Sequence, residues 1–284
     1  MKTYFLIPAL VLSVFAGACC AGQHGGVVVH KDLEYAKSDG KSLRLDLYLP
    51  KDTLKKVPLI VMIHGGGWYR GDKAIYMKQA ELFANSGYAA ASINYRFIPE
   101  YIFPAGLKDC IAAVKWLKDS SAVYGIDPER VGVFGDSSGG HLALMTALAG
   151  ENAGFGSTGG TQAAAVWFPV TDIPLYFSKN PKLNEKLMGG SLEKMPEEYK
   201  KASPVNYVSK NNPPTLLIHG ERDRVVPIKH SEDLFSLMKT AGAKVELLRV
   251  KNADHAFVPP AKGFEPDYDG IMKKMVKFFD EHLK

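Results

Sequence analysis

The chain has 284 residues, of which 46% are hydrophobic and 23% are charged, and its formal net charge at pH 7 is +5. These proportions are those of one globular domain of ordinary size with ample residues for a core. The positive balance is modest, and no arginine-rich stripe or nucleic-acid-binding motif accompanies it, so we expect no nucleic-acid partner.

The first 18 residues predict a secretory signal peptide. Lys2 precedes the apolar run Phe5–Phe15, which is too short to span a membrane. Ala16-Gly17-Ala18 fits an ordinary cleavage site, after which the protein would be freely exported. The same residues followed by Cys19 resemble a bacterial lipobox, in which Cys19 would carry a lipid and anchor the chain to the membrane. We therefore expect the protein in the bacterial cell envelope, in the periplasm or outside the cell; a cytoplasmic chain with an unusual start is the remaining alternative.

Further along the chain, the predicted elements alternate between strand and helix. Residues 19–30 are expected to form a tether of polar residues and glycines that leads into a domain over residues 31–284. Leu43–Leu49 alternates with period two, which indicates a strand with one solvent-facing side. The pattern then predicts strands over residues 58–63, 88–94, 131–135 and 163–168 and helices near residues 74–86, 105–122 and 138–149. This order indicates βαβ units, and hence an α/β fold with a mostly parallel central sheet flanked by helices.

Residues 172–212 interrupt this alternation, and we expect them to form a small lid-like insertion beside the pocket. Tyr176 in this segment could contact the substrate or could pack the lid onto the body. The residues upstream of Leu59 favour β-structure over helices, so we expect no large N-terminal cap and an open cleft. Cys110 lies on an apolar helical stripe and is expected to be buried, without a disulfide partner.

The most informative motif is Gly135-Asp136-Ser137-Ser138-Gly139. It follows the apolar run Val131–Phe134 directly and precedes a helix-like stretch. In this setting the strand must turn sharply into a helix, which exposes the serine hydroxyl at the edge of the sheet. The context therefore predicts Ser137 as a nucleophile.

A serine hydroxyl is a poor nucleophile without a base and a third group that orients the base. Asp223 and His255 each lie in a loop just after a predicted strand, in the chain order serine, acid, base. We predict His255 as the general base and Asp223 as the orienting acid. Asp172, which follows the preceding strand, is the alternative acid, and otherwise it would line or brace the cleft. We expect His219 to end a strand and His230 to lie on a helix surface.

A glycine run follows the strand at residues 58–63, in His64-Gly65-Gly66-Gly67-Trp68. Such a run leaves backbone N–H groups free to point at an oxyanion. We predict the N–H groups of Gly66, Gly67 and Ser138 as the donors, because Ser138 also opens a helix whose dipole favours a negative oxygen. Trp68 would either line the acyl site or pack in the core.

At these residues the chain resembles α/β-hydrolase esterases of the hormone-sensitive-lipase-like and feruloyl/acetylxylan esterase-like type. The resemblance covers roughly residues 40–284. Its motifs include the glycine run, the segments Asn94–Arg96 and Tyr124–Arg130, and the surroundings of Ser137, Asp223 and His255. One departure is Ala253-Asp254-His255-Ala256-Phe257, where the family more often has glycine on both sides of the histidine.

The resemblance implies a secreted serine carboxylesterase that acts on short-chain or aromatic esters, with acetyl or feruloyl groups on plant polysaccharides as the expected substrates. The alternatives are a serine peptidase of the prolyl-oligopeptidase type, a general short-chain carboxylesterase and a binding protein without activity. We expect no metal and no cofactor, since no His/Cys/Asp cluster has ligand spacing and no Walker lysine follows a glycine run.

Overall fold

The computed structural model describes residues 21–24, 26–51, 54–149, 153–257 and 263–284. The predicted signal peptide and the predicted lipidation site at Cys19 lie outside these residues. Within them, the chain forms a nine-stranded sheet. Its strands are β1 (Ala21–His24), β2 (Val27–Ser38), β3 (Lys41–Pro50), β4 (Val57–Ile63), β5 (Ala89–Ile93), β6 (Ile126–Asp136), β7 (Ala163–Trp167), β8 (Thr215–Gly220) and β9 (Val245–Val250).

Helices connect these strands over most of the described chain. They are α1 (Met77–Asn85), α2 (Ala105–Asp119), α3 (Ser121–Tyr124), α4 (Ser137–Leu148), α5 (Ile173–Phe177), α6 (Pro181–Met188), α7 (Pro196–Lys201), α8 (Lys229–Thr240) and α9 (Tyr268–Leu283). Short 3₁₀ helices cover Lys73–Tyr76, Pro204–Tyr207 and His255–Phe257. The predicted alternation of strand and helix is thereby confirmed for residues 58–168.

The strand order is β1-β2-β3-β5-β4-β6-β7-β8-β9. Strands β4 to β9 pair in parallel, whereas β1, β2 and β3 form an antiparallel extension that joins the sheet at β5. Strands β4, β5 and β7 are buried at every position, as the central strands of a sheet covered on both faces must be. The mostly parallel sheet predicted from the sequence is confirmed.

Two apolar clusters fill the space between the sheet and its helices. One packs α2, α4 and α8 against one face, and the other packs α1 and α9 against the opposite face. Cys110 of α2 is fully buried in the first cluster as a free thiol, as expected. Among the described residues, no helix is long and apolar enough to cross a membrane.

The start of the domain differs from the prediction. Residues 27–30, expected to belong to a tether, are the first residues of β2, and Val27 and Val29 are buried against the core. Their alternation with less buried neighbours is the period-two pattern of a strand. The glycines just before them obscured this pattern in the sequence. The β-structure expected upstream of Leu59 is present as β1, β2 and β3.

The segment between β7 and β8, predicted as a lid-like insertion over residues 172–212, folds into α5, α6, α7 and a 3₁₀ helix. Each of these begins with proline in its first turn, where the missing N–H costs no hydrogen bond. Leu187, Met188 and Tyr199 of this segment are buried in the core cluster. The segment therefore rests firmly on the body of the domain.

Candidate active site

Ser137 lies on a sharp turn between β6 and α4. Its φ is +52°, a left-handed value that costs energy for any residue with a Cβ. The turn brings the start of α4 close to β4: a Cβ at Gly139 would lie 2.0 Å from the backbone oxygen of Ile63. Glycine is therefore required at this position, and the turn presents the Ser137 hydroxyl beyond the carboxyl ends of the parallel strands.

A chain of hydrogen bonds joins Ser137 to two residues that follow later strands. His255 Nε2 lies 3.2 Å from Ser137 Oγ, and His255 Nδ1 lies 2.8 Å from Asp223 Oδ2. Because the carboxylate can only accept, Nδ1 carries the ring proton and Nε2 is left to accept the proton of the serine hydroxyl. The structure thus brings together the three residues predicted as nucleophile, base and acid.

The carboxylate of Asp223 is fully buried and well supported. Its Oδ1 accepts the backbone N–H groups of Val225 and Val226 at 2.9 and 2.8 Å. Burial by itself raises the pKa of Asp223, but hydrogen bonds from His219 and His255 outweigh it and hold that pKa well below its usual value. The Asp223 carboxylate is therefore ionised at neutral pH.

His219 is a supporting residue whose role the sequence did not reveal. It is fully buried, and its Nε2 lies 2.8 Å from the carbonyl oxygen of Val226 and 3.5 Å from Asp223 Oδ2. Its Nδ1 lies 2.7 Å from Ser231 Oγ. The sequence feature that could have indicated this role is the position of His219, four residues before Asp223 and at the end of β8.

The loop that carries His255 is fastened to the loop that carries Asp223. Asp254 accepts hydrogen bonds from the backbone N–H of Arg224 at 3.0 Å and from Arg224 Nε at 2.6 Å. It also accepts the N–H of His255 at 2.8 Å. These bonds lower the pKa of Asp254. On the other side of His255, Ala256 has a φ of +60°, so this alanine adopts the left-handed conformation that favours glycine.

The glycine run forms a turn beside Ser137. Gly66 and Gly67 have φ values of +125° and +64°, and a Cβ at Gly66 would lie 1.9 Å from the backbone oxygen of Arg70. Ser138 is in the first turn of α4, where backbone N–H groups lack a partner within the helix. Gly65 of the same run contacts Asp136, the residue before Ser137, so the run lies close to the nucleophile, and the role of Gly66, Gly67 and Ser138 as oxyanion donors stays a prediction.

Asp136, which precedes the nucleophile, holds the start of the glycine run in place. Its Oδ1 accepts the N–H of Gly65 at 2.8 Å and also the hydroxyl of Tyr76. Burial raises the pKa of Asp136, and these two hydrogen bonds oppose that effect. Beside it, His64 Nδ1 lies 2.8 Å from the backbone oxygen of Gly65.

Trp68 and Tyr176, predicted to contact substrate, have rings that pack inside the protein. Only 3% of Trp68 is exposed, and its Nε1–H donates to His141 Nδ1 at 3.1 Å. Tyr176 is 5% exposed and lies edge-on to Trp68 and His230. Burial raises the pKa of Tyr176 to about 12, with a further contribution from the charge of Asp223. Both rings are therefore packed inside the protein, which was the alternative to substrate contact for each of them.

Asp172 and His230 also occupy structural positions. The Asp172 carboxylate caps α5 by accepting the N–H of Leu175 at 2.9 Å. The structure therefore brings Asp223, and not Asp172, to His255. His230, expected on a helix surface, is buried instead: its Nδ1 accepts the N–H of Thr171 at 3.3 Å. The prediction failed because the buried face of α8 is set by the segment between β7 and β8, which packs over it.

The described residues contain one group whose atoms could converge on a metal ion, Glu246, Glu281 and His282, with ligand atoms within 4.8 Å of one another. Glu246 already pairs with Lys274 at 2.5 Å. Glu246 lies near the start of β9, whereas the loops of Ser137 and His255 follow the carboxyl ends of the strands. This group takes no part in the arrangement around Ser137.

The chain is similar to known proteins over most of its length. The BD-FAE family matches residues 45–238. Esterase LipQ of Mycobacterium tuberculosis (strain ATCC 25618 / H37Rv) is 30% identical over 239 residues, which are 80% of this chain and 56% of that protein. The chain spans little more than half the length of the curated relatives that it matches.

Two solved structures superpose over nearly their full length. A truncated form of a carbohydrate esterase from gut microbiota has a TM-score of 0.76 at 28% identity, with 89% of this chain and 95% of that chain covered. The thermophilic esterase Est2 of Thermogutta terrifontis, solved with propionate bound, has a TM-score of 0.74 at 28% identity, with coverage of 88% and 93%. The family match includes more than half of the chain, and the sheet order and the superpositions agree with it, so the chain belongs to the BD-FAE family and has the α/β-hydrolase fold.

Proposed function

We propose that this protein is a serine carboxylesterase in which Ser137, His255 and Asp223 act as nucleophile, base and orienting acid. The observation that carries the proposal is the unbroken chain of hydrogen bonds from Ser137 Oγ through both ring nitrogens of His255 to Asp223. The names of LipQ and of the solved esterases support the same activity.

In this mechanism, Ser137 Oγ attacks the ester carbonyl as His255 Nε2 takes its proton. Asp223 stabilises the resulting imidazolium, and the N–H groups of Gly66, Gly67 and Ser138 stabilise the oxyanion. His255 then gives its proton to the departing alcohol oxygen, which leaves an acyl group on Ser137. Water, activated by the same histidine, attacks this acyl-enzyme and releases the acid and the free serine.

The substrates we propose are short-chain or aromatic esters, in particular acetyl or feruloyl groups on plant polysaccharides. Three observations support this choice. The superposing gut enzyme is a carbohydrate esterase, and Est2 was solved with the short acid propionate. In addition, the described chain upstream of β4 is a strand extension rather than a helical cap, and we expect this to leave room for a bulky alcohol group.

We further propose that the protein is exported, either anchored through a lipid on Cys19 or released after Ala18. The support is the charged start, the apolar run and the sequence Ala16 to Cys19. In a bacterial host, mass spectrometry of the membrane fraction should find a diacyl-modified Cys19, and Cys19→Ser should release the protein. A membrane-bound Cys19→Ser protein would exclude the lipid anchor.

The activity is tested by covalent labelling and by substrate release. An organophosphate should label the protein once, at Ser137, and Ser137→Ala should abolish both labelling and turnover of nitrophenyl acetate. The unmodified protein should release acetate from acetylated xylan or ferulate from feruloylated arabinoxylan, and should prefer acetyl esters to esters of eight or more carbons. Near-normal turnover by Ser137→Ala would refute the mechanism, and a strong preference for long acyl chains would refute the substrate class.

A further inference from the structure

A cavity of about 700 Å³ lies beside the glycine run, between that run and α6. Its lining has an apolar part and a charged part. Tyr69, Ile98 and Leu183 supply apolar surface, and Lys179, Lys182 and Lys186 supply three ammonium groups. A volume of several hundred Å³ is typical of pockets that hold a small molecule, and one sugar ring with its substituents fits within it.

Backbone contacts connect this cavity to the proposed oxyanion donors. Tyr69 N–H donates to the carbonyl oxygen of Gly66 at 3.3 Å, and the Tyr69 ring lies against Gly67, where a Cβ would be 2.7 Å from it. Ile98 N–H donates to the carbonyl oxygen of Trp68 at 3.0 Å. The wall of the cavity is therefore continuous with the glycine run, in which Gly65 contacts Asp136, the residue before Ser137.

The three lysines concentrate positive charge on one side of the cavity. Lys182 and Lys186 are four residues apart in α6 and so share one face of that helix, and Lys179, in the turn before α6, lines the same cavity. None of their ammonium groups pairs with an acid in the part of the chain that the structure describes. Two acids are neighbours in sequence of residues that line the cavity. Glu100, which follows Pro99, is already paired with Lys41 at 2.8 Å, and Glu185, which precedes Lys186, is exposed on α6. The cavity is therefore suited to an anion.

We propose that this cavity is a subsite for a sugar unit that bears a carboxylate, a uronic acid, on the alcohol side of the ester substrate. This inference rests on the proposed esterase function. The half-exposed ring of Tyr69 offers an apolar face for the sugar ring, and the lysines offer charged donors for the carboxylate. Since exposed ion pairs are individually weak, three together are expected to raise affinity about tenfold, and salt should screen the effect.

The subsite is tested with matched oligosaccharides. The substrates are acetylated xylo-oligosaccharides with and without a glucuronic acid substituent, and the ratio of their kcat/KM values is the readout. The ratio should be about 10 in the unmodified protein, chiefly through KM, and should fall toward 1 in the triple variant Lys179→Gln, Lys182→Gln, Lys186→Gln and in 0.5 M salt. A control variant, Lys210→Gln, Lys244→Gln, Lys273→Gln, removes the same charge elsewhere and should keep the ratio.

A binding measurement separates this inference from the proposed activity. Calorimetry with the Ser137→Ala protein should give a Kd about tenfold lower for the acidic than for the neutral oligosaccharide. If the unmodified protein cleaves no ester but this difference persists, the proposed function fails and with it the assignment to an ester substrate, while binding of the uronic acid in the cavity stands. If esters are cleaved and neither readout distinguishes the two oligosaccharides, the subsite is refuted and the function stands.

Two further arms test other anions. A preference seen only with nitrophenyl hemisuccinate over nitrophenyl acetate would place the carboxylate on the acyl side and overturn the sugar assignment. Binding to vesicles of phosphatidylglycerol that is lost in the lysine triple variant, without any preference among oligosaccharides, would identify the lysines as a membrane-contact surface and would equally overturn it.

Discussion

At the scale of single residues, two carboxylates follow neighbouring strands near the same edge of the sheet, and their surroundings give them different tasks. Asp223 is fully buried, receives two backbone N–H groups and contacts His255. Asp172 caps a five-residue helix. Only the first is placed to fix the tautomer of the base, so substitutions at the two positions should have different consequences for turnover.

We expect Asp223→Asn to lower kcat for nitrophenyl acetate by about 10⁴-fold, because an amide donor at this position favours the wrong imidazole tautomer. Asp172→Asn should lower kcat much less, since asparagine also caps helices well. Steady-state kinetics of both variants, with circular dichroism as a check of folding, measure the difference. A reversed order of the two losses would show that the acid has been misassigned.

Ala256 is a residue whose backbone conformation determines how a substitution changes the stability of the protein. Its φ of +60° costs about 1–2 kcal/mol for a residue with a Cβ. Glycine removes that cost but increases the entropy of the unfolded chain by about 0.5–1 kcal/mol. Because the strain is the larger quantity and the side chain is exposed, Ala256→Gly should raise the free energy of unfolding by several tenths of a kcal/mol, as measured by urea denaturation. A clear loss of stability would contradict this balance.

At the scale of elements, the glycine run after β4 is held by the end of β6 and by the 3₁₀ helix at Lys73–Tyr76. Asp136 joins the three by accepting both the Gly65 N–H and the Tyr76 hydroxyl. The turn that contains Gly66 and Gly67 is therefore held in place by contacts with other elements. Loss of one of these bonds should displace the donors without removing them.

Accordingly, Tyr76→Phe should lower kcat about 10- to 100-fold with little change in KM, since small displacements of a catalytic group have effects of this size. Tyr88→Phe is the matched control: the Tyr88 hydroxyl also donates to a carboxylate, Asp280 Oδ1 at 2.6 Å, but contacts α9 rather than the glycine run. The control should leave kcat unchanged. Equal losses in both variants would mean that Tyr76 has no specific influence on the oxyanion donors.

At the scale of the whole molecule, two buried histidines connect folding to pH. Burial lowers the pKa of His141 and of His230 to about 4, whereas an unfolded chain has histidine pKa values of about 6.5. Between these two values the unfolded chain binds more protons than the folded one. The free energy of unfolding should therefore fall as the pH is lowered from about 6.5 to about 4.

Each histidine should contribute about 1.4 kcal/mol per pH unit within this window. His230→Asn removes the titration, while the asparagine oxygen can still accept the Thr171 N–H. Urea denaturation at pH 4.5, 5.5 and 6.5 should give a slope against pH that is shallower in the variant by about that amount. An unchanged slope would mean that His230 is not the group that titrates.

The sequence by itself determined the fold class, the strand and helix alternation and the identities and order of Ser137, Asp223 and His255. Each of these is expressed locally: an apolar strand is followed at once by the loop that carries the functional residue, and parallel strands bring their carboxyl ends to one edge. The glycine run after β4 was readable for the same reason.

Tertiary structure alone decided which other side chains support these residues. The contacts of Asp136 with Gly65, of Asp254 with Arg224 and of Trp68 with His141 join positions 30 to 73 residues apart in the chain. The burial of His230 likewise depends on a segment that only packing brings over α8. A local sequence pattern shows which face of an element is apolar, but it does not show which distant element covers that face. The covering element determines which side chains are buried and which hydrogen bonds they form.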